Sequence, residues 1–224
     1  ATSFLVLLML ALGGADAFAH GVADGDKAFF EQSSGMHILP FIYLGAKHMV
    51  TGYDHLLFLF GVIFFLYRLK DVGAYVTLFA LGHSVTLLSG VLSETHVNPY
   101  LIDAIIGFSV VYKALDNMGG LERLLGFQPN TKAAVLVFGL FHGFGLAPKL
   151  QELSLSKDGL IPNIVAFNVG VEIGQLLALS AILIAMGYWR RSAAFARHAF
   201  NSNIVLMSAG FVLMGYQLTG FATA

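Results

Sequence analysis

The stretch from Gly45 to Tyr67, GAKHMVTGYDHLLFLFGVIFFLY, constrains this chain more than any other. Its first half carries three titratable groups, His48, Asp54 and His55, and its second half is an almost unbroken apolar run. An ionisable side chain inside a bilayer costs on the order of several kcal/mol unless it is paired or faces an aqueous path. The three groups are therefore expected to stand at the mouth of a membrane span and to serve a function there, rather than to pack as isolated polar residues.

The rest of the chain supplies a scaffold of the same kind. Of 224 residues, 57% are hydrophobic and 11% charged, which marks an integral membrane protein rather than a soluble domain. Six apolar segments, at about 48–67, 73–92, 98–117, 132–150, 161–187 and 202–221, each approach the ~20 residues that a bilayer core requires. The expected fold is an all-α, polytopic transmembrane helix bundle of six spans, with lipid as its main partner. Ahead of them, residues 1–19 end in Ala17-Phe18-Ala19, the pattern of a cleaved secretory signal, although a retained first helix fits equally well. Residues 20–47 read as an external polar segment. If it is outside, the inner loops hold Arg68, Lys70, Lys113, Arg123, Lys132, Arg190, Arg191 and Arg197, against Lys27, Lys47, Lys149 and Lys157 outside. That bias favours a bacterial inner (cytoplasmic) membrane protein with an external mature N-terminus.

A net charge of −1 offers no basic surface for nucleic acid. Without cysteine, thiolate metal sites and disulfides are excluded, so any metal is held by imidazole, carboxylate, amide or thioether groups. That donor set suits nickel, cobalt, zinc or copper(II), and it does not choose among them.

On a helix, His48, Gly52 and His55 share one stripe, with Asp54 about 100° round from His55. Seven positions separate the two histidines by roughly 10 Å along a straight axis. Either a bend at Gly52 brings them together, or they are successive stations on a path with Asp54 orienting an imidazole. The other polar residues expected inside the spans are His83, Asp103, His142, Asn168, Glu172 and Gln175. Asn168, Glu172 and Gln175 fall on one face, opposite Gly170 and Gly174, where a neighbouring helix can approach closely. Glu172 is the most expensive of the set to bury and so the most strongly expected to function, with Asp103, Asn168 and Gln175 as a secondary polar path. The strings FALGHS (79–84) and FGLFHG (138–143) read as two Gly-His packing sites. If cleavage frees His20, its amino group and imidazole, with Met36 and His37, form a possible external copper-type site.

Four strings, GAKHMVTGYDHLLFL, FALGHSVTLL, FGLFHGFGLAPKL and FNVGVEIGQL, resemble the consecutive motifs of the second branch of the HupE/UreJ family over most of residues 37–221. The resemblance implies a polytopic membrane protein tied to hydrogenase or urease maturation, of a kind proposed to be a nickel or cobalt permease. It also implies that His48, Asp54 and His55, with His83, His142 and Glu172, are the metal positions. Met49 stands where the first branch has a proline after the leading histidine.

Three functions follow from this reading. The first is a permease for a divalent transition metal ion, nickel before the others, and with no G-x-x-x-x-G-K-[ST] loop it carries no nucleotide site of its own. The second is a non-transporting, metal-binding accessory subunit of a larger membrane complex or homo-oligomer. The third is a metal-dependent intramembrane enzyme, which the lack of an H-E-x-x-H motif disfavours.

Overall fold

A computed structural model describes residues 35–93, 97–152 and 158–224. The first helix is broken: α1 (Ile38–Thr51) and α2 (Tyr53–Ile63) meet at Gly52. Then follow α3 (Leu69–Ser93), α4 (Pro99–Asn117), the short α5 (Gly120–Leu125), α6 (Thr131–Glu152), α7 (Leu160–Arg190) and α8 (Ala193–Thr223). Among the described residues four helices are long and apolar enough to cross a membrane, namely α3, residues 131–148 of α6, α7 and α8. The chain is therefore an all-helical membrane protein. The broken α1/α2 unit is split into pieces too short to qualify singly, and α4 carries Asp103, Lys113 and Asp116.

Three helix pairs make the bundle, and glycine makes each pair. Between helices in lipid there is no hydrophobic driving force, so association rests on close van der Waals approach, which small residues permit. In the parallel pair α1/α7, a Cβ at Gly174 would lie 2.6 Å from the Ala46 carbonyl oxygen, and Gly170 faces Ile42 in the same way. In the parallel pair α3/α6, a Cβ at Gly82 would meet the Leu136 carbonyl at 2.5 Å, and one at Gly139 would meet that of Phe79 at 2.5 Å. Thr86 adds a hydroxyl hydrogen bond across this pair to the Leu140 carbonyl, at 2.7 Å. In the antiparallel pair α4/α8, Gly107 and Gly210 leave 2.7 Å and 2.8 Å to the backbone nitrogens of Met214 and Val111. Gly170 and Gly174 thus do what their spacing implies, and the two Gly-His strings prove to pack on each other.

Two boundaries differ from expectation. The first helix starts at Ile38 rather than near 48, because ILPFIYLGA is apolar enough to extend it and the His37 N–H is held by the Asn163 side chain at 2.7 Å. The ionisable cluster is consequently not at the mouth of this helix but halfway along it, and Lys47 sits near the end of α1. At the other end, 193–201 is helix rather than connection, since Phe195 buries against Phe64 and Met186, folding α8 back immediately after Ser192. Around α5, Gly119 and Gly126 adopt left-handed φ values of 68° and 76°, which explains glycine at both. Asn98 caps α4 by accepting the Leu101 N–H at 3.3 Å, with Pro99 in the first turn.

Candidate metal centre at the helix break

Gly52 ends one helix and starts the next. Its φ of −71° and ψ of 107° are open to any residue, so conformation is not what requires glycine there. Space is: a Cβ would stand 2.8 Å from His55 Nδ1, 3.2 Å from Asp54 Oδ1 and 3.2 Å from the His48 carbonyl. Thr51 contributes to the break by donating its hydroxyl back to the Lys47 carbonyl at 2.8 Å, a bond that competes with helix continuation. The break sets the C-terminal end of α1 against the N-terminal end of α2, whose partial charges are negative and positive respectively. Asp54, in the first turn of α2, complements that positive end and accepts the His55 backbone N–H at 2.9 Å.

Bent in this way, the chain brings the His48 and His55 rings to 5.1 Å between centroids, edge to face. His55 is also 5.9 Å from the His83 ring and 4.8 Å from the His142 ring. The α3/α6 pair supplies those two because the glycines beside them, Gly82 and Gly143, let the backbones close up. One ligand atom each from His48, His55 and His83 lie within 4.8 Å of one another, and so do one each from Asp54, His55 and His142. His55 belongs to both groups. Asp54 Oδ1 stands 3.0 Å from His55 Nδ1, fixing the ring as a carboxylate does for a metal-ligating histidine.

The cluster is largely buried. His55, His83 and His142 are each 0% exposed and Asp54 is 1% exposed, whereas His48 is only half-buried. Phe79 packs at 5.0 Å from the His142 ring and 6.1 Å from that of His55, and Phe58 at 5.5 Å from His142. A hydrophobic shell of this kind strengthens electrostatic interaction with an ion and limits water access. His83 and His142 stand near the middle of their helices, and His48 and His55 flank the break midway along the α1/α2 unit, so the cluster lies at mid-depth in the bundle.

The remaining expected residues are placed as follows. Asn168 and Gln175 are buried on the inward face of α7; the Asn168 amide donates to the Ile164 carbonyl at 3.2 Å, and that of Gln175 reaches the Val76 carbonyl at 3.5 Å. Their amide oxygens, both buried, have no hydrogen-bond partner among the described residues. Asp103 is buried on α4, in neither ligand group. Glu172, expected in the interior, lies on the exposed face of α7 and is not brought to the histidines. Met36 is exposed, His37 is half-buried at the start of α1, and His20 lies outside the described residues. One residue of the site gave no sequence signal: Ser109 on α4, fully buried, whose Oγ is 3.3 Å from His142 Nε2.

A family model described as HupE / UreJ protein matches residues 24–224 of the chain. No curated protein and no solved structure matches it.

Proposed function

The chain belongs to the HupE/UreJ family, and from that premise we propose that it is a membrane permease carrying a divalent transition metal ion, nickel first, inward through the broken helix. The observation that supports this most is the convergence of His48, His55, His83, His142 and Asp54 at a helix break midway through the bundle. Transporters place ion sites near the membrane midplane on discontinuous helices, where irregular backbone and helix ends are available to a substrate. Imidazole with carboxylate is also the donor chemistry of nickel, cobalt and zinc.

The ion is the cargo, and the two overlapping ligand groups suit a cargo. An ion reaching the half-buried His48 first is held by His48, His55 and His83. It then passes, by way of the shared His55, to Asp54 and His142. At metal–nitrogen distances of ~2.1 Å, tetrahedral ligands stand ~3.4 Å apart, so ligand atoms that lie within 4.8 Å of one another can close on one ion by small side-chain movements. The buried amides Asn168 and Gln175 and the carboxyl of Asp103 are proposed as secondary polar stations. We further propose six spans, counting α1/α2 as one broken span and α4 as another, an inner-membrane location and an external N-terminus.

The test is accumulation of radioactive nickel by cells expressing the protein. His55→Ala, which removes the member common to both groups, is expected to reduce accumulation to the level of cells without the protein, with the variant still present in the membrane fraction. Wild-type accumulation by that variant would reject the mechanism. Purification in constant association with one large partner, with no uptake by the wild type, would favour an accessory subunit.

A further inference from the structure

Two hydrogen bonds at Ser109 decide which nitrogen of His142 carries a proton. Ser109 Oγ lies 2.6 Å from the Ile106 carbonyl oxygen, one turn back on α4. Two oxygens at that distance need a proton between them, and a carbonyl has none to give, so the serine hydroxyl donates to Ile106. Having spent its only proton there, Ser109 faces His142 Nε2 at 3.3 Å as an acceptor. Nε2 must then be the N–H of the neutral ring, and Nδ1 carries the lone pair.

At His55 the same reasoning gives the opposite answer. Asp54 Oδ1, an acceptor when ionised, stands 3.0 Å from His55 Nδ1, so Nδ1 is the N–H and Nε2 carries the lone pair. We propose that Ser109 is a positioning residue of the metal centre, holding His142 as the Nε2–H tautomer so that it ligates through Nδ1, while Asp54 holds His55 to ligate through Nε2. The two rings, 4.8 Å apart, would thus meet one ion through different nitrogens, one set by Ser109 and the other by Asp54. This rests on the metal reading of the site for its purpose, but the protonation pattern stands on the Ser109 and Asp54 geometry alone.

The experiment is nitrogen NMR of the full chain with isotope-labelled histidine in lipid bilayers, first without metal and then with Zn²⁺ as the probe. Signals are assigned by their loss in His142→Gln and His55→Gln. Without metal, His142 is expected to show a single Nε2–H protected from exchange with water, and His55 a single Nδ1–H. With Zn²⁺, the shift is expected at Nδ1 of His142 and Nε2 of His55.

Ser109→Ala should expose the His142 proton to exchange, admit the other tautomer and weaken Zn²⁺ binding by about tenfold, the lower end for loss of a ligand-orienting group. Ser109→Thr, which keeps a hydroxyl, should restore protection and affinity together; a packing role alone would be served as well by alanine. A His142 that carries Nδ1–H, or that takes Zn²⁺ through Nε2, overturns the proposal, as does a Ser109→Ala protein with unchanged proton protection and affinity. If Ser109→Ala alters the His142 tautomer but Zn²⁺ moves no histidine signal in the wild type, the metal reading fails and the Ser109 assignment stands.

Discussion

Where α2 and α4 end and α8 begins, Lys113 donates to Asp116 at 2.5 Å and to Asn117 at 2.8 Å. Asn117 donates in turn to the Gly61 carbonyl and to Asn203, both at 2.9 Å, and Gln128 closes on Asp116 at 2.7 Å. The histidine cluster at Gly52 is also buried and also joins several helices, yet it is composed differently. In the first assembly a cation, a carboxylate and amides answer each other, donor to acceptor, so a further ion has nothing to gain by entering. In the second, four imidazoles are gathered with one carboxylate, a set of side chains whose nitrogen and oxygen atoms could ligate a metal cation. The difference shows that a buried polar group signals function through the company it keeps. Lys113 and its partners tie α2, α4 and α8 together; the histidines bring together side chains that could hold a metal ion.

The comparison is broken most forcefully at Lys113, which is 7% exposed. Removing one partner of a buried ion pair leaves an uncompensated charge, so Lys113→Met is expected to destabilise the protein by about 3–5 kcal/mol. Adding Asp116→Asn should recover part of that loss. The readout is thermal unfolding in detergent alongside metal affinity of the folded protein, which should change little for both variants. A large loss of affinity at unchanged stability would mean that this assembly belongs to the ion route rather than serving only to tie the helices together.

Gly52→Ala probes the other side. Alanine favours continuous helix by up to about 1 kcal/mol over glycine, while its methyl would crowd the His55 ring and the Asp54 carboxylate. Stability should therefore move little in either direction. The imidazoles, however, lose their mutual placement, and metal affinity is expected to fall by roughly 10–100-fold, as when orienting contacts at a metal site are lost. Calorimetric titration with Ni²⁺ beside a melting curve separates the two. An affinity within twofold of wild type would show that the break is not what assembles the site.

These two regions were unequally legible from sequence, for physical reasons. His48, Gly52 and His55 share a helical stripe, and a glycine between ionisable residues in an apolar run marks a bend. His83 and His142 announced themselves as imidazoles beside glycine. Ser109 did not, because a serine in an apolar helix ordinarily bonds to its own backbone, and this one does so while also meeting a histidine 33 positions away. The Lys113 assembly was invisible for a similar reason: its partners Gly61 and Asn203 lie far off in sequence, and Lys113 read as one more basic residue at a span end. Lys47 and His48 look like the edge of a polar segment until Ile38 to Leu44 is counted as the apolar beginning of the first helix, which moves the cluster from a mouth to mid-depth.

The smallest expected effect is at Glu172, and it tests how far a helical face can be read from spacing alone. Asn168, Glu172 and Gln175 fall within about 60° of one another on a 100° wheel. The boundary between the inward and outward faces of α7 runs through that arc: Asn168 and Gln175 are buried, while Glu172 is exposed next to Ile173 and Leu176. A carboxyl on an outward apolar face carries a cost of its own, but it cannot reach the imidazoles without turning the helix against Gly170 and Gly174, which lock α7 on α1. Glu172→Gln keeps the shape and removes the charge, so nickel accumulation within twofold of wild type is expected. A loss as deep as that of His55→Ala would place the carboxylate on the ion's route and require α7 to rotate during transport, with the glycine contacts of the α1/α7 pair as the elements that must yield.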